Sequence, residues 1–140
     1  MRCTLEFSSE PAELRRVRHT VREFLAQAGI EEMQAELMIL AIVEACTNVI
    51  RHAYHNRHGC PVTLRMERSP RRLRMTIRDY GDKCPPEKMI GRQLTDFRPG
   101  GIGLHIIHKA FDHVEFCHKG KGTLLRLSKR LGPSTPPSRD

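Results

Sequence analysis

Tryptophan is absent from this 140-residue chain and tyrosine occurs only twice. Proteins that grip single-stranded nucleic acid by stacking need exposed rings, so direct nucleic-acid binding is disfavoured. Five cysteines (Cys3, Cys46, Cys60, Cys84 and Cys117) are scattered without a C-x-x-C pair. That odd set argues for reduced thiols in a cytoplasm, against a disulfide framework or a zinc site. No apolar run reaches the roughly 20 residues that cross a bilayer. Met1-Arg2-Cys3-Thr4 lacks the apolar core of a secretory signal. A cytoplasmic protein without a membrane partner is the expectation.

What is present fits one domain, with a core large enough to need no staples. The net charge is +8, from 24 basic and 16 acidic residues. The arginines are dispersed, and the plain reading is a solvated basic surface. The Arg71-Arg72-Leu73-Arg74 cluster reads in the same way, as a solvated strand edge.

Residues 3–7 suit a short first strand. Ser8, Ser9, Glu10 and Pro11 form a helix start, with small capping side chains and a proline where a missing N–H costs nothing. Leu14, Val17, Val21, Phe24, Leu25 and Ala28 follow at helical spacing, and Gly29 closes the element. A second helix spans about 31–56 and is apolar all round from Leu37 to Val43. Glu44 and Asn48, four apart on one face, interrupt it. A buried carboxylate and amide are costly unless paired, so they satisfy each other or point into a pocket.

Two hairpins follow. Val62, Leu64 and Met66 pair with Leu73, Met75 and Ile77 across a turn at 68–71. Val114 and Phe116 pair with Leu124–Leu127 across Lys119-Gly120-Lys121-Gly122. Between them, 82–100 holds three prolines and reads as a long functional loop of lid type. A helix from Gly101 to Phe111 opens on glycines. The tail 132–140 reads as disordered, leaving 1–131 as the folded domain. The fold class is α+β: a mixed, mainly antiparallel sheet with helices on one face.

Three features carry chemistry. An amide oxygen at Asn48 suits magnesium, and Glu44 one turn earlier can take the proton of a hydroxyl. Asp79 in Asp79-Tyr80-Gly81, at a strand end, can accept from an exocyclic amino group, while Gly81 lets a planar ring approach. Gly100-Gly101-Ile102-Gly103-Leu104 leads into a helix with free backbone N–H groups, an arrangement that holds phosphate. His52, His55 and His58 recur every three residues but diverge around a helix, so a metal site is not expected of them.

Glu44-Ala-Cys-Thr-Asn48-Val-Ile-Arg-His52-Ala-Tyr54 resembles the N-box of the GHKL ATPase superfamily, and specifically of the anti-sigma-factor serine/threonine kinases of bacterial sporulation and general stress. Asp79-Tyr-Gly81 resembles that family's first glycine box and Gly101-Ile-Gly103-Leu104 its second. Gly122-Thr123-Leu124-Leu125-Arg126-Leu127 is similar to its closing strand. The resemblance covers about residues 5–130 and implies a two-layer Bergerat fold that binds ATP and magnesium between helices and sheet. It implies Glu44 as catalytic base and Asn48 as the magnesium ligand. Asp79 with Thr123 would hold adenine, and Gly101 and Gly103 would contact phosphate. His52 would lie near the phosphates, and Arg98 is a looser candidate for the terminal one. Lys83 departs from the pattern, standing where the wider superfamily has a second glycine.

The implied function is ATP-dependent phosphorylation of a small anti-sigma-factor antagonist of the STAS type. A homodimer that also binds a sigma factor would be the acting form. The alternative is a non-catalytic, nucleotide-dependent clamp for a partner protein.

Overall fold

A computed structural model describes residues 1–82 and 99–132, with the side chains of 99–104 outside that description. Lys83 to Arg98 and the tail from 133 therefore lie outside the described residues, and with them the expected lid, Arg98 and the disordered terminus.

Strand β1 (Arg2–Ser8) leads through a single 3-10 turn at Pro11–Glu13 into α1 (Leu14–Gln27). The serines before it do not cap the helix, for no side-chain cap bond forms at Glu10. They clamp a distant loop instead: Ser9 Oγ donates to the carbonyl of Arg57 and accepts from the Cys60 amide at 3.0 Å. Helix α1 is amphipathic, burying Val17, Val21, Phe24 and Leu25. Gly29, at φ +77°, ends it, and the Ile30 amide returns to the Leu25 carbonyl in a Schellman-type closure.

Helix α2 (Glu32–Asn48) is capped by Glu31, whose carboxylate accepts from the amides of Met33 and Gln34. It buries Met38, Ile39, Ala41, Ile42, Val43, Ala45 and Cys46, as its all-round apolar sequence requires. With its continuation to Ala53 it is long and apolar enough to span a bilayer by length and composition, contrary to the expectation that no such run exists. Half of that stretch is buried within the fold, as the central helix of a layer.

Strands β2 (Pro61–Ser69) and β3 (Arg72–Asp79) form the first hairpin. Helix α3 (Pro99–Ala110) starts two residues before the expected helix. Strands β4 (His113–His118) and β5 (Thr123–Arg130) complete a five-stranded sheet of order β1-β2-β3-β5-β4. All four pairings are antiparallel, and no parallel pair occurs among the described residues. β3 therefore lies at the centre, and the Arg72–Arg74 stretch read as a strand edge belongs to the middle of the sheet.

Alternation decides which face is covered. Leu5, Phe7, Val62, Leu64, Met66, Leu73, Met75, Ile77, Leu125 and Leu127 point to the helices and form one core with them. Among the described residues the architecture is thus two layers, with helices on one sheet face, in agreement with the expected α+β class.

The end of α2 is tied to the end of β3 by Tyr54. Its hydroxyl donates to the Pro61 carbonyl at 2.6 Å and accepts from the Tyr80 amide at 2.8 Å. The Asp82 amide adds a bond to the Ala53 carbonyl at 2.8 Å. Replacing Tyr54 by Phe strands one buried acceptor and one donor, and we expect a loss of about 1–3 kcal/mol in denaturant unfolding. A change within experimental error would show that the tie carries no stability.

Candidate functional site

Helix α2 does not end in a plain α-helical turn. Val49–Ala53 continues it with a single π turn, in which the Tyr54 amide reaches back to the Val49 carbonyl. Such single-turn insertions alter the facing of the side chains that follow. Here Asn48 and His52 both line one cavity, together with Ala45, Val49 and Ala53. The chain then leaves the helix through His55 and Asn56, both at positive φ.

The opposite wall comes from the sheet. Ile77 and Asp79 of β3, with Thr123 and Leu125 of β5 and Phe116 of β4, close the cavity, and Ile107 of α3 forms the roof. The enclosed space is small, about 40 Å³, below the usual size of a small-ligand site. The walls are mostly apolar with a few converging polar groups, the composition expected of a pocket for a heterocyclic base.

Asp79 is the buried carboxylate of this site, only 4% exposed. Burial raises its pKa above the ordinary carboxylate value. Backbone N–H groups of Gly81 and Thr123 and the nearby Arg78 oppose that rise, with Gly81 donating at 3.0 Å. Two glycines let the chain close so tightly around this strand end. A Cβ on Gly81 would overlap the Ala53 carbonyl, and one on Gly122, at φ +77°, would overlap the Asp79 carbonyl.

Asn48 carries the most informative atom. Its Oδ1 is, among the described residues, the buried side-chain oxygen or nitrogen with no hydrogen-bond partner. Leaving such an acceptor unpaired costs about 1–3 kcal/mol. A hard oxygen held without a donor beside a cavity fits an oxygen-seeking cation such as magnesium. The residues present therefore fit the metal that the N-box resemblance implies.

Glu44 sits one turn earlier but is not among the cavity walls. Asn48 and Glu44 do not bond each other, so the mutual-satisfaction alternative is excluded. Glu44 is half-buried, and desolvation raises its pKa against the opposing pull of Arg51. Of the glycine segment, Gly100 to Leu104 form the first turns of α3, and the same helix brings Ile107 to the cavity. His55 departs from His52 and pairs with Asp82 at 2.7 Å. Cys46 is fully buried with its thiol pushed up to about 12, so it is inert as a nucleophile.

Sequence reasoning missed Asp82, Phe116 and Ile107 as walls and Tyr54 as the tie beneath them. Strand alternation was the signal for Phe116. No comparable signal marked Asp82, whose neighbours read as loop.

Residues 7–129 match the sequence model of the histidine kinase-like ATPase domain. The chain is 25% identical to the serine-protein kinase RsbW of Bacillus velezensis over 136 residues, covering 91% of this chain and 84% of that protein. It is 28% identical to RsbW of Halalkalibacterium halodurans over 123 residues, covering 82% and 74%. Among solved structures, that of the RsbU and RsbW domains of Rv1364c from Mycobacterium tuberculosis superimposes with a TM-score of 0.69 at 19% identity. This match covers 94% of the present chain and only 32% of that longer one. The histidine kinase domain of Erythrobacter litoralis EL346 gives 0.56 at 20% identity, covering 86% and 60%. Both likenesses speak for the fold. With Asp79 and the N-box asparagine lining one cavity, and with the family match over residues 7–129, the chain belongs to the histidine kinase-like ATPase domain family, with the GHKL fold, and within it is similar to the serine-protein kinases named RsbW.

Proposed function

We propose that this protein is an ATP-dependent serine/threonine kinase that phosphorylates a small anti-sigma-factor antagonist of the STAS type. In the same proposal it acts in the cytoplasm as a homodimeric anti-sigma factor. The observation that carries the reading is the unpartnered Asn48 oxygen beside a cavity whose far wall holds a buried carboxylate. The relatives named serine-protein kinase support it at family level.

In this reading Asp79 accepts a hydrogen bond from the adenine amino group, with Thr123 beside it, while Gly81 keeps the ring's edge clear. Asn48 holds magnesium through Oδ1. His52, Gly100, Gly101, Ile102, Gly103 and Leu104 flank the phosphates, and Arg98 meets the terminal one. Bound magnesium offsets charge on the phosphates and on the transferring group. Glu44 takes the proton of the partner's hydroxyl as its oxygen bonds to the terminal phosphorus and ADP leaves.

A second reading, a nucleotide-dependent clamp without transfer, is favoured by one observation: Glu44 stands outside the cavity walls. Mixing protein, ATP, magnesium and a candidate STAS-type antagonist separates the two. Phosphate on a partner serine or threonine supports the kinase. Nucleotide bound with no transfer supports the clamp.

Asn48→Ala is expected to abolish magnesium-dependent nucleotide binding in calorimetry while leaving the apo protein at least as stable, since an unpaired buried acceptor is removed. Unchanged affinity would remove Asn48 from the site. Glu44→Gln should bind ATP normally and transfer phosphate about 10²–10⁴-fold more slowly. Because burial raises the Glu44 pKa above 4.5 and the charged form is the base, the wild-type rate should fall with decreasing pH through a pKa above 4.5. A wild-type rate for the variant, or no acid limb in that range, contradicts the role.

Asp79 gives the converse signature. Its folded-state pKa is raised, so the native state holds the proton more tightly than the unfolded chain. Stability is therefore greatest below the unfolded value and declines as pH rises through the folded one. Asp79→Asn should raise the neutral-pH Tm while weakening nucleotide binding. A lower Tm would show that the charge stabilises the fold.

A further inference from the structure

Among the described residues, no layer covers the sheet face away from the helices. Alternation puts Arg65, Arg74 and Arg126 on it around Thr76, and the register pairs Thr76 directly with Arg65 on one side and Arg126 on the other. Arg72 and Arg78 extend the group along β3. Three adjoining hollows meet at Thr76: one toward β1, one toward β4, and one toward Tyr80 and Lys119. Glu6, Glu67 and Glu115 are the acids on this face, and two are engaged. Glu67 pairs with Arg2 at 2.9 Å, and Glu115 lies 3.9 Å from Arg126. The face carries a clear surplus of positive charge.

Guanidinium groups on neighbouring strands, set diagonally at about 7–8 Å, repel one another and gain from an anionic surface laid across them. We propose that this open face is a docking surface for a folded protein with an acidic patch, separate from the nucleotide cavity. Three observations choose that occupant. Among the described residues, Tyr80 is the exposed phenolic ring beside these hollows, and the Arg78 guanidinium covers it at 4.2 Å, which makes it a poor stacking platform for bases. Glu67 stands within the arginine rows, between Arg2 and Arg74. A nucleic-acid backbone, with one charge per about 1.7 Å of duplex, would have to press against it. A folded acidic protein, bearing both signs, can place a cation there. A second copy of this chain presents the same basic face and is repelled.

The face lies on the opposite side of the sheet from Asn48 and Asp79, which both line the helical-side cavity. A protein bound there leaves the nucleotide site open, so the surface can hold a partner while the pocket turns over. This holds whether the pocket transfers phosphate or only binds nucleotide.

The test uses the whole chain without nucleotide, with fluorescent poly-L-glutamate and a short DNA duplex as probes in anisotropy titrations at physiological salt. Wild type should bind poly-L-glutamate, more tightly than the duplex. R65E/R74E/R126E should lose about tenfold or more in that affinity, while R15E/R16E/R22E, with the same charge change on α1, loses far less. If the triple reversal fails to fold, as judged by its binding of a fluorescent ATP analogue, R65Q/R74Q/R126Q takes its place. Equal losses from the sheet and α1 variants would reduce the effect to net charge and overturn the proposal. So would tighter binding of the duplex through these arginines, which assigns the face to nucleic acid, or no binding of poly-L-glutamate at all. Nucleotide binding is unaffected in every arm, so failure here and failure of the kinase reading are distinguishable.

Discussion

The amide oxygen of Asn48 is held out of water and, among the described residues, no donor satisfies it, at the point where helix meets sheet. Proteins rarely leave such an atom unpaired, because the cost is a sizeable part of a small domain's net stability. Among the described residues, no donor pairs with it. The π turn re-aims the end of α2 and places Asn48 and His52 along the same cavity, and the chain then turns away through two residues at positive φ. The position of that oxygen belongs to the geometry of the whole corner.

That corner depends on close approach. Gly81 passes against the Ala53 carbonyl, Gly122 passes against the Asp79 carbonyl, and the Tyr54 hydroxyl bridges two backbone segments between them. Together they bring a buried carboxylate and a buried amide to opposite walls of one space. Each is individually destabilising when the space is empty, one by desolvation of charge and one by a missing donor. In the proposed reading, matching ligand groups offset both costs at once.

Much of this was legible in the sequence. The apolar band around Ala41 and Ile42 marked a central helix, and the alternation of Leu73, Met75 and Ile77 fixed which side of β3 is buried. Asp79 follows Ile77 in the same phase, so the carboxylate had to face the helices. Glu44 and Asn48 were correctly singled out as anomalous, but their shared helical face did not make them share the cavity. Asn48 lines it and Glu44 does not, a one-turn offset that residue spacing alone does not resolve. The π turn was illegible because its cause is tertiary: Tyr54 is anchored by Pro61 and Tyr80, residues 7 and 26 positions away. The position of β3 was also hidden, since a basic stretch such as Arg71-Arg72-Leu73-Arg74 resembles an edge until strand order is known.

The two sheet faces divide the labour, one building the pocket and the other carrying exposed charge. The central claim concerns the first: the Asn48 oxygen is reserved for a metal-bound nucleotide. Nuclear magnetic resonance of the Asn48 side-chain amide tests it directly. The resonance should move only when magnesium and ATP are added together, and hold still with either alone. A resonance unmoved by both, while ATP demonstrably binds, would contradict the account.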